Sequence, residues 1–137
     1  MRVMVIVKAS KDSEAGMLPD AKIFIEMGAF NEQLAKAGVL VAADGLTPSS
    51  KGKRVKFNGA ERIVSDGPFA ETKELVAGYW VWKVKSLDEA VEWLKKAPFG
   101  GGMEIEIRPI QELEDFGPDF TAKLRAQEES LRKQVAR

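Results

Sequence analysis

The stretch DGPFAETKE at residues 66–74 groups several side chains that could take part in chemistry. Asp66 and Glu71 supply carboxylates, Lys73 supplies an ammonium group, and Phe69 supplies an apolar anchor. Because loops on rigid scaffolds often carry function, these residues are candidates for the rim of a ligand pocket. The same residue types also suit a turn, since Asp accepts backbone hydrogen bonds and Pro fixes φ. Both interpretations stay open.

A second group of candidates lies on two stretches rich in apolar residues. Tyr79 accompanies Trp80 and Trp82, and the three rings could wall a flat ligand, although such residues are also typical of a core or a dimer interface. Glu106 and Arg108 share one face of a predicted strand, where they could bind a ligand or face solvent. Tyr79 and Arg108 therefore join the motif residues in the candidate ligand-binding set.

If the protein is an enzyme, a buried carboxylate could move a proton. Glu26 lies beside Gly28 in a predicted helix and could act as a base if burial raised its pKa, and Glu106 is the other weak candidate. Arg108 or Lys73 could then stabilise the anion that develops. These residues define a cofactor-free isomerase or lyase as an alternative to simple binding.

The absence of Cys and His excludes much chemistry. Without these residues the chain has no disulfides, no Cys nucleophile, no Ser-His-Asp triad and no imidazole or thiolate metal site. No loop spaces carboxylates as a calcium site does, and the three glycines at residues 100–102 lack the strand and helix of a phosphate cradle. We therefore expect neither a metal nor a cofactor.

The charge balance points to no large charged partner. Lys plus Arg and Asp plus Glu number 21 each in 137 residues, and the basic stretch KGKRVK at residues 51–56 lacks interleaved aromatics. No apolar run approaches the roughly 20 residues of a membrane-spanning helix. We expect a cytoplasmic protein that binds neither nucleic acid nor membrane.

Hydrophobic periodicity predicts alternating strands and helices. In chain order these are a strand at residues 2–9, a helix at 20–37, a short strand at 39–42, a hairpin at 53–65, a strand at 75–85, a helix from 86 to 97 and a strand at 103–110. In the hairpin, Asn58-Gly59 predicts a two-residue type I′ loop that places Lys56 opposite Glu61. Without the hairpin the order is βαββαβ, which is typical of a ferredoxin-like α+β fold with an antiparallel sheet.

This pattern predicts one domain over residues 1–111 and a charged helical arm over residues 112–137. In the arm, Glu128 with Arg132 and Glu129 with Lys133 are spaced as i, i+4 ion pairs. The strand residues Val3, Val5 and Val7, with the Trp-bearing strand, supply more apolar surface than two helices should cover. A homodimer packed sheet to sheet is the expected remedy.

The motif DGPFAETKE, together with FNEQLAKAGVLVAADGLTPSSKG and ELVAGYWVWKVKSLDEAVEWLKKAP, resembles the YciI-like family, and in particular its DGPF-domain branch. The resemblance implies a ferredoxin-like fold that forms a dimeric α/β barrel, related to muconolactone isomerases and to ligand-binding proteins. Simpler members carry a His-Asp pair with the His on the first helix, which this chain cannot have because it contains no His. The DGPF branch has no settled activity, and some relatives occur alongside regulatory proteins of the sigma-factor type.

Our leading hypothesis is a homodimeric domain that binds a small molecule or acts as an accessory. Its pocket is expected between the sheet and the helices, bordered by the candidate residues Asp66, Phe69, Glu71, Lys73, Tyr79 and Arg108. The carboxylate-dependent enzyme is the first alternative. A structural protein-interaction module, docked through the C-terminal arm, is the second.

Overall fold

The computed structural model describes residues 1–135, with the exception of the Lys73 side chain. The strands are β1 (Arg2–Lys8), β2 (Leu40–Gly45), β3 (Lys53–Asn58), β4 (Glu61–Asp66), β5 (Val76–Lys83) and β6 (Ile105–Pro109). The helices are α1 (Lys11–Glu14), α2 (Ala21–Lys36), α3 (Leu87–Leu94) and α4 (Ala122–Val135).

The main sheet has four antiparallel strands in the order β2-β5-β1-β6. The two strands β3 and β4 form a separate hairpin inserted between β2 and β5. This is the ferredoxin-like α+β arrangement with an added hairpin and a C-terminal helix, so the fold class predicted from the sequence is confirmed. Val5 at the centre of β1 lies opposite Trp80 on one side and Ile107 on the other.

The helices α2 and α3 cover one face of this sheet. Helix α2 begins after Asp20, whose side chain accepts a hydrogen bond from the Ile23 amide, and it buries Phe30 and Leu34. Helix α3 begins after Ser86, which accepts from the Glu89 amide in the same way. No helix in the described part of the chain is long and apolar enough to cross a membrane.

The core lies between these helices and the sheet. It includes strand residues that we expected to be buried only by a second copy of the chain. Val3, Val5 and Trp82 are fully buried, and Trp80 is 4% exposed. The helices therefore hide these side chains within one chain. The side chains that alternate with them, among them Met4, Ile6 and Val81, face the other side of the sheet and are half-buried.

The hairpin register differs from the predicted one by two residues. Asn58 pairs with Glu61, so that the loop residues are Gly59 and Ala60, and Lys56 lies opposite Ile63 instead of Glu61. Gly59 has φ +62°, while no non-glycine residue in the described chain has a positive φ. This geometry fits a type II′ turn, which needs glycine only at its first central position.

Two local predictions at the ends of elements were also wrong. The segment after β1, expected to be a loop, contains α1, whose first turn is closed by reciprocal hydrogen bonds between Ser10 and Ser13. Strand β2 does not stop at residue 42 but continues to Gly45, because its last residues still pair with β5.

The C-terminal helix α4 is joined to the sheet by ion pairs. Glu128 contacts Arg132 at 3.1 Å as predicted, whereas Glu129 contacts Arg125 at 3.3 Å instead of Lys133. Arg132 also reaches Glu112 at 2.9 Å, and Glu112 contacts Arg2 of β1 at 3.0 Å. The division into a domain of residues 1–111 and an arm of residues 112–137 stays a prediction.

Candidate functional site

The signature motif forms a clasp with the turn that precedes β3. The Gly67 amide donates to the Gly52 carbonyl at 3.0 Å, and the Phe69 amide donates to the Ser49 hydroxyl oxygen at 3.1 Å. The backbones meet so closely that a Cβ on Gly67 would overlap the Ser49 carbonyl oxygen and lie 2.6 Å from its carbonyl carbon. Only glycine fits at this point.

Side chains extend the clasp on both sides. Glu14 at the end of α1 accepts hydrogen bonds from the Ser49 amide and hydroxyl, both at 2.9 Å. The Arg54 guanidinium lies over the Phe69 ring, 3.7 Å from its centroid. The polar groups of the motif's first half are thus engaged in holding three segments together.

A separate cleft of about 340 Å³ lies between α2 and the adjoining strands β2 and β5. Its walls are almost entirely apolar and include Ile23, Phe24 and Met27 from α2, Trp80 from β5, and Phe99 from the segment after α3. This volume lies near the lower end of the roughly 300–1,000 Å³ range of ligand pockets, and the apolar walls are typical of such sites.

The cleft exists because a side chain is missing from the strand below it. Gly78, Trp80 and Trp82 share the helix-facing side of β5, since alternate residues of a strand point the same way. The two Trp rings fill the space beneath α2, whereas Gly78 leaves it empty. Gly45 lies directly opposite Gly78 on β2, so the floor is bare backbone on both strands.

The Trp80 wall of the cleft is held rigidly. Its indole Nε1 donates to the Asn31 side-chain oxygen at 2.8 Å. Phe30 and Phe99 contact the Trp80 ring edge to face, with centroids 5.9 Å and 5.8 Å away. Asn31 is itself half-buried and lines the cleft.

Tyr79 and Asp44 border the cleft through their backbones in β5 and β2. The Tyr79 hydroxyl donates to an Asp44 carboxylate oxygen at 3.0 Å. This hydrogen bond, with the negative charge of Asp44, raises the pKa of Tyr79 above its ordinary value of 10.0. Because both residues alternate with glycines that face the helices, this pair belongs to the opposite side of the sheet.

The candidate ligand-binding residues do not meet in one pocket. Tyr79 borders the cleft, while Phe69 belongs to the clasp and Asp66 forms an exposed ion pair with Lys53. Arg108 does not border the space between sheet and helices, because it projects from the other face and is 72% exposed.

Two candidates follow Phe69 in the chain. Glu71 is exposed just before the 3-10 turn Thr72–Glu74. The Lys73 side chain lies outside the described residues.

The two candidate catalytic carboxylates are not buried. Glu26 lies 3.8 Å from Lys22 with 44% of its side chain exposed. Glu106 lies between Lys8 at 3.5 Å and Arg108 at 3.7 Å, with 42% of its side chain exposed. No charged residue in the described chain is buried, so the burial that the enzyme hypothesis required is absent there.

Sequence reasoning missed Asn31 and the role of Gly78. A glycine among large residues in a strand is a known sign of a close approach or a space, and Gly78 stands immediately before Tyr79 and Trp80. Asn31 had no comparable signal, because its partner Trp80 is 49 residues away.

The fold is that of a small α+β domain of a known family. A family model described as the YCII-related domain matches residues 1–114, and the chain belongs to this family. An uncharacterised protein from Rhizobium meliloti (strain 1021) is 33% identical over 95 residues, covering 66% of this chain and 75% of that protein.

Among solved structures, the chain resembles 5-chloro-2-hydroxyhydroquinone dehydrochlorinase from Burkholderia phenoliruptrix AC1100, in complex with 2,5-dihydroxybenzoquinone. The two share 15% sequence identity with a TM-score of 0.41, over 84% of this chain and 99% of that one.

Proposed function

We propose that this YCII-related protein, a member of the DGPF branch, is a homodimeric domain that binds a small molecule in the cleft between α2 and β5. The observation that carries the proposal is the cleft itself, an apolar space of about 340 Å³ over a glycine floor. Apolar concave sites with few polar groups are the usual form of small-molecule sites. The motif loop then supports the cleft by fixing the start of β5.

The rigid positioning of the cleft walls supports a binding site in preference to a packing defect. Trp80 is held by a hydrogen bond and by two edge-to-face rings, so the wall is already in place before a ligand arrives. A preformed site saves the entropy of ordering side chains on binding. Phe24 is 59% exposed at the α2 side, which leaves an aromatic ring available at the rim.

A thermal-shift screen against a metabolite library tests the proposal. Ile23 lines the cleft, so Ile23→Trp should fill it and abolish the stabilisation given by a cleft ligand. Ile25→Trp is the matched control, because Ile25 is 72% exposed on the same helix and is not part of the cleft lining. A library with no compound that distinguishes these two variants would contradict the proposal.

The proposed dimer is supported by apolar surface outside the core. On the hairpin, Val55, Phe57 and Val64 share one face and are 51%, 72% and 60% exposed. Exposed apolar groups of this kind are typical of interaction surfaces. Light scattering should give a mass of twice 15.1 kDa, and a monomeric mass at all concentrations would argue against the dimer.

A further inference from the structure

We infer that the cleft between α2 and β5 binds an uncharged, aromatic ligand that carries a hydrogen-bond acceptor, such as a carbonyl oxygen. The inference rests on the proposed function and names the chemical class of its ligand. It depends on the orientation of the Asn31 amide and on the charges of the cleft walls.

The contact with Trp80 fixes which end of the Asn31 amide, a side chain of the cleft lining, is left to bind a ligand. An indole N–H can only donate, so its partner at 2.8 Å must be the amide oxygen of Asn31. The amide nitrogen therefore points away from the indole, and it forms no hydrogen bond with any group in the described residues. Asn31 thus offers a donor to a ligand, and its oxygen is already in use.

The charges of the walls disfavour an ionic ligand. Of the cleft-lining residues, all of which lie in the described chain, Asp44 alone is charged, and its carboxylate is held by Tyr79 on the opposite side of the sheet. A carboxylate ligand would lose hydration without meeting a cation. An ammonium ligand would meet the Asn31 donor in place of an acceptor.

The walls also indicate the shape of the ligand. Phe24, Trp80 and Phe99 supply three aromatic rings, and Met27 supplies a flexible side chain that adapts to a ring edge. Aromatic groups contact one another best in offset or edge-to-face geometries. A planar ring system with one acceptor therefore satisfies both the apolar walls and the single donor.

Three probes on the same ring system test the charge preference. They are 2-acetylnaphthalene as the neutral acceptor, naphthalene-2-carboxylate as the anion and 2-(aminomethyl)naphthalene as the cation, each titrated by calorimetry. We expect the ketone to bind at least about tenfold more tightly than the carboxylate, because the anion stays unpaired in the cleft.

The variant Asn31→Asp tests the donor itself. Aspartate keeps an oxygen for Trp80 and replaces the amide NH2 with a second oxygen, so the wall stays in place while the donor is lost. The ketone should then bind about tenfold more weakly, and the ammonium probe should bind more tightly. Gln33→Glu makes the same change of charge two residues away on an exposed part of α2, and it should alter neither affinity.

The outcomes separate this inference from the proposed function. If no probe binds and Ile23→Trp has no effect in the library screen, both the ligand-class inference and the proposed binding function are contradicted. If the carboxylate binds most tightly, if Asn31→Asp weakens all three probes equally, or if the cleft-dependent library compounds are anions, the inference is overturned and the cleft remains a binding site.

Discussion

The clasp around the signature motif and the cleft under α2 lie within a few residues of each other along the chain, yet they are built in opposite ways. In the clasp, the side chains of Glu14, Ser49 and Asp66 are hydrogen-bonded or ion-paired within the chain. The cleft has almost no polar groups, but it is open, and it holds an amide donor that has no partner among the described residues. The difference teaches that a conspicuous polar motif can have a structural role, while the proposed binding site lies where a side chain is missing.

The largest expected effect comes from Gly67→Ala in the clasp. The new Cβ would collide with the Ser49 backbone, so we expect the free energy of unfolding to fall by about 3 kcal/mol. Gly45→Ala at the cleft floor is the matched control, since its Cβ would meet nothing within 4 Å. Urea denaturation measures both variants, and similar losses in the two would break the comparison.

The next effect is the loss of the hydroxyl at the centre of the clasp. Ser49→Ala removes the acceptor of the Phe69 amide and one donor to Glu14, which should cost about 1–3 kcal/mol of unfolding free energy. Ser50→Ala, at the exposed neighbouring position, should change stability by less than about 0.5 kcal/mol. Equal stability of both variants in denaturation would show that the clasp contributes little.

A change at the cleft should affect binding more than stability. Gly78→Ala places a methyl group on the floor, 3.1 Å from the Asp44 carbonyl oxygen, so a cleft ligand should bind about tenfold more weakly. Gly101→Ala, whose Cβ would meet nothing within 4 Å, serves as the control. Unchanged affinity in Gly78→Ala, measured by calorimetry, would place the ligand elsewhere.

The smallest expected effect on stability concerns Glu112 in the C-terminal arm, outside both the clasp and the cleft. Hydrogen bonds from Arg2 and Arg132 lower the pKa of Glu112 below its ordinary value of 4.5. The folded chain therefore binds its proton less readily, so the contribution of Glu112 is complete above the ordinary pKa and is lost as pH falls through the lower folded one. We expect this contribution to the free energy of unfolding to be less than about 1 kcal/mol.

Unfolding of the wild type and of Glu112→Gln, measured between about pH 6 and about pH 3, checks this prediction. The stability difference between the two proteins should shrink as pH falls across that range. A difference that stays constant down to the lowest pH would mean that Glu112 does not link the arm to the sheet through its charge.

The sequence allowed the fold to be predicted because its signals are local. Phe30 and Leu34 in the helical stripe of α2 are buried, and the glycine after that helix has φ +74°. The predicted hairpin register was wrong because Asn58-Gly59 and Gly59-Ala60 are both acceptable central residues of a two-residue turn. Only the packed backbone selects one of them.

The site depended on contacts that the sequence does not display. Asn31 becomes a candidate ligand donor only because Trp80 lies beside it and occupies its oxygen. Gly78 helps to form the cleft floor only because Gly45 lies opposite it. The burial of Val3 and Val5 likewise depends on how the helices lie across the sheet. The motif stood out because it groups charged residues with Gly67 and Pro68, but Gly67 is needed there for a close backbone approach to Ser49.

The inserted hairpin has a consequence for the behaviour of concentrated protein. Within the described chain β3 pairs only with β4, so its outer edge presents free backbone groups to any neighbouring strand. Arg54 and Lys56 place two positive charges on that edge strand, and an identical strand from another molecule would carry the same charges. Added salt screens this repulsion within a few ångströms, so clouding at high ionic strength should begin at the hairpin and leave the four-stranded sheet intact.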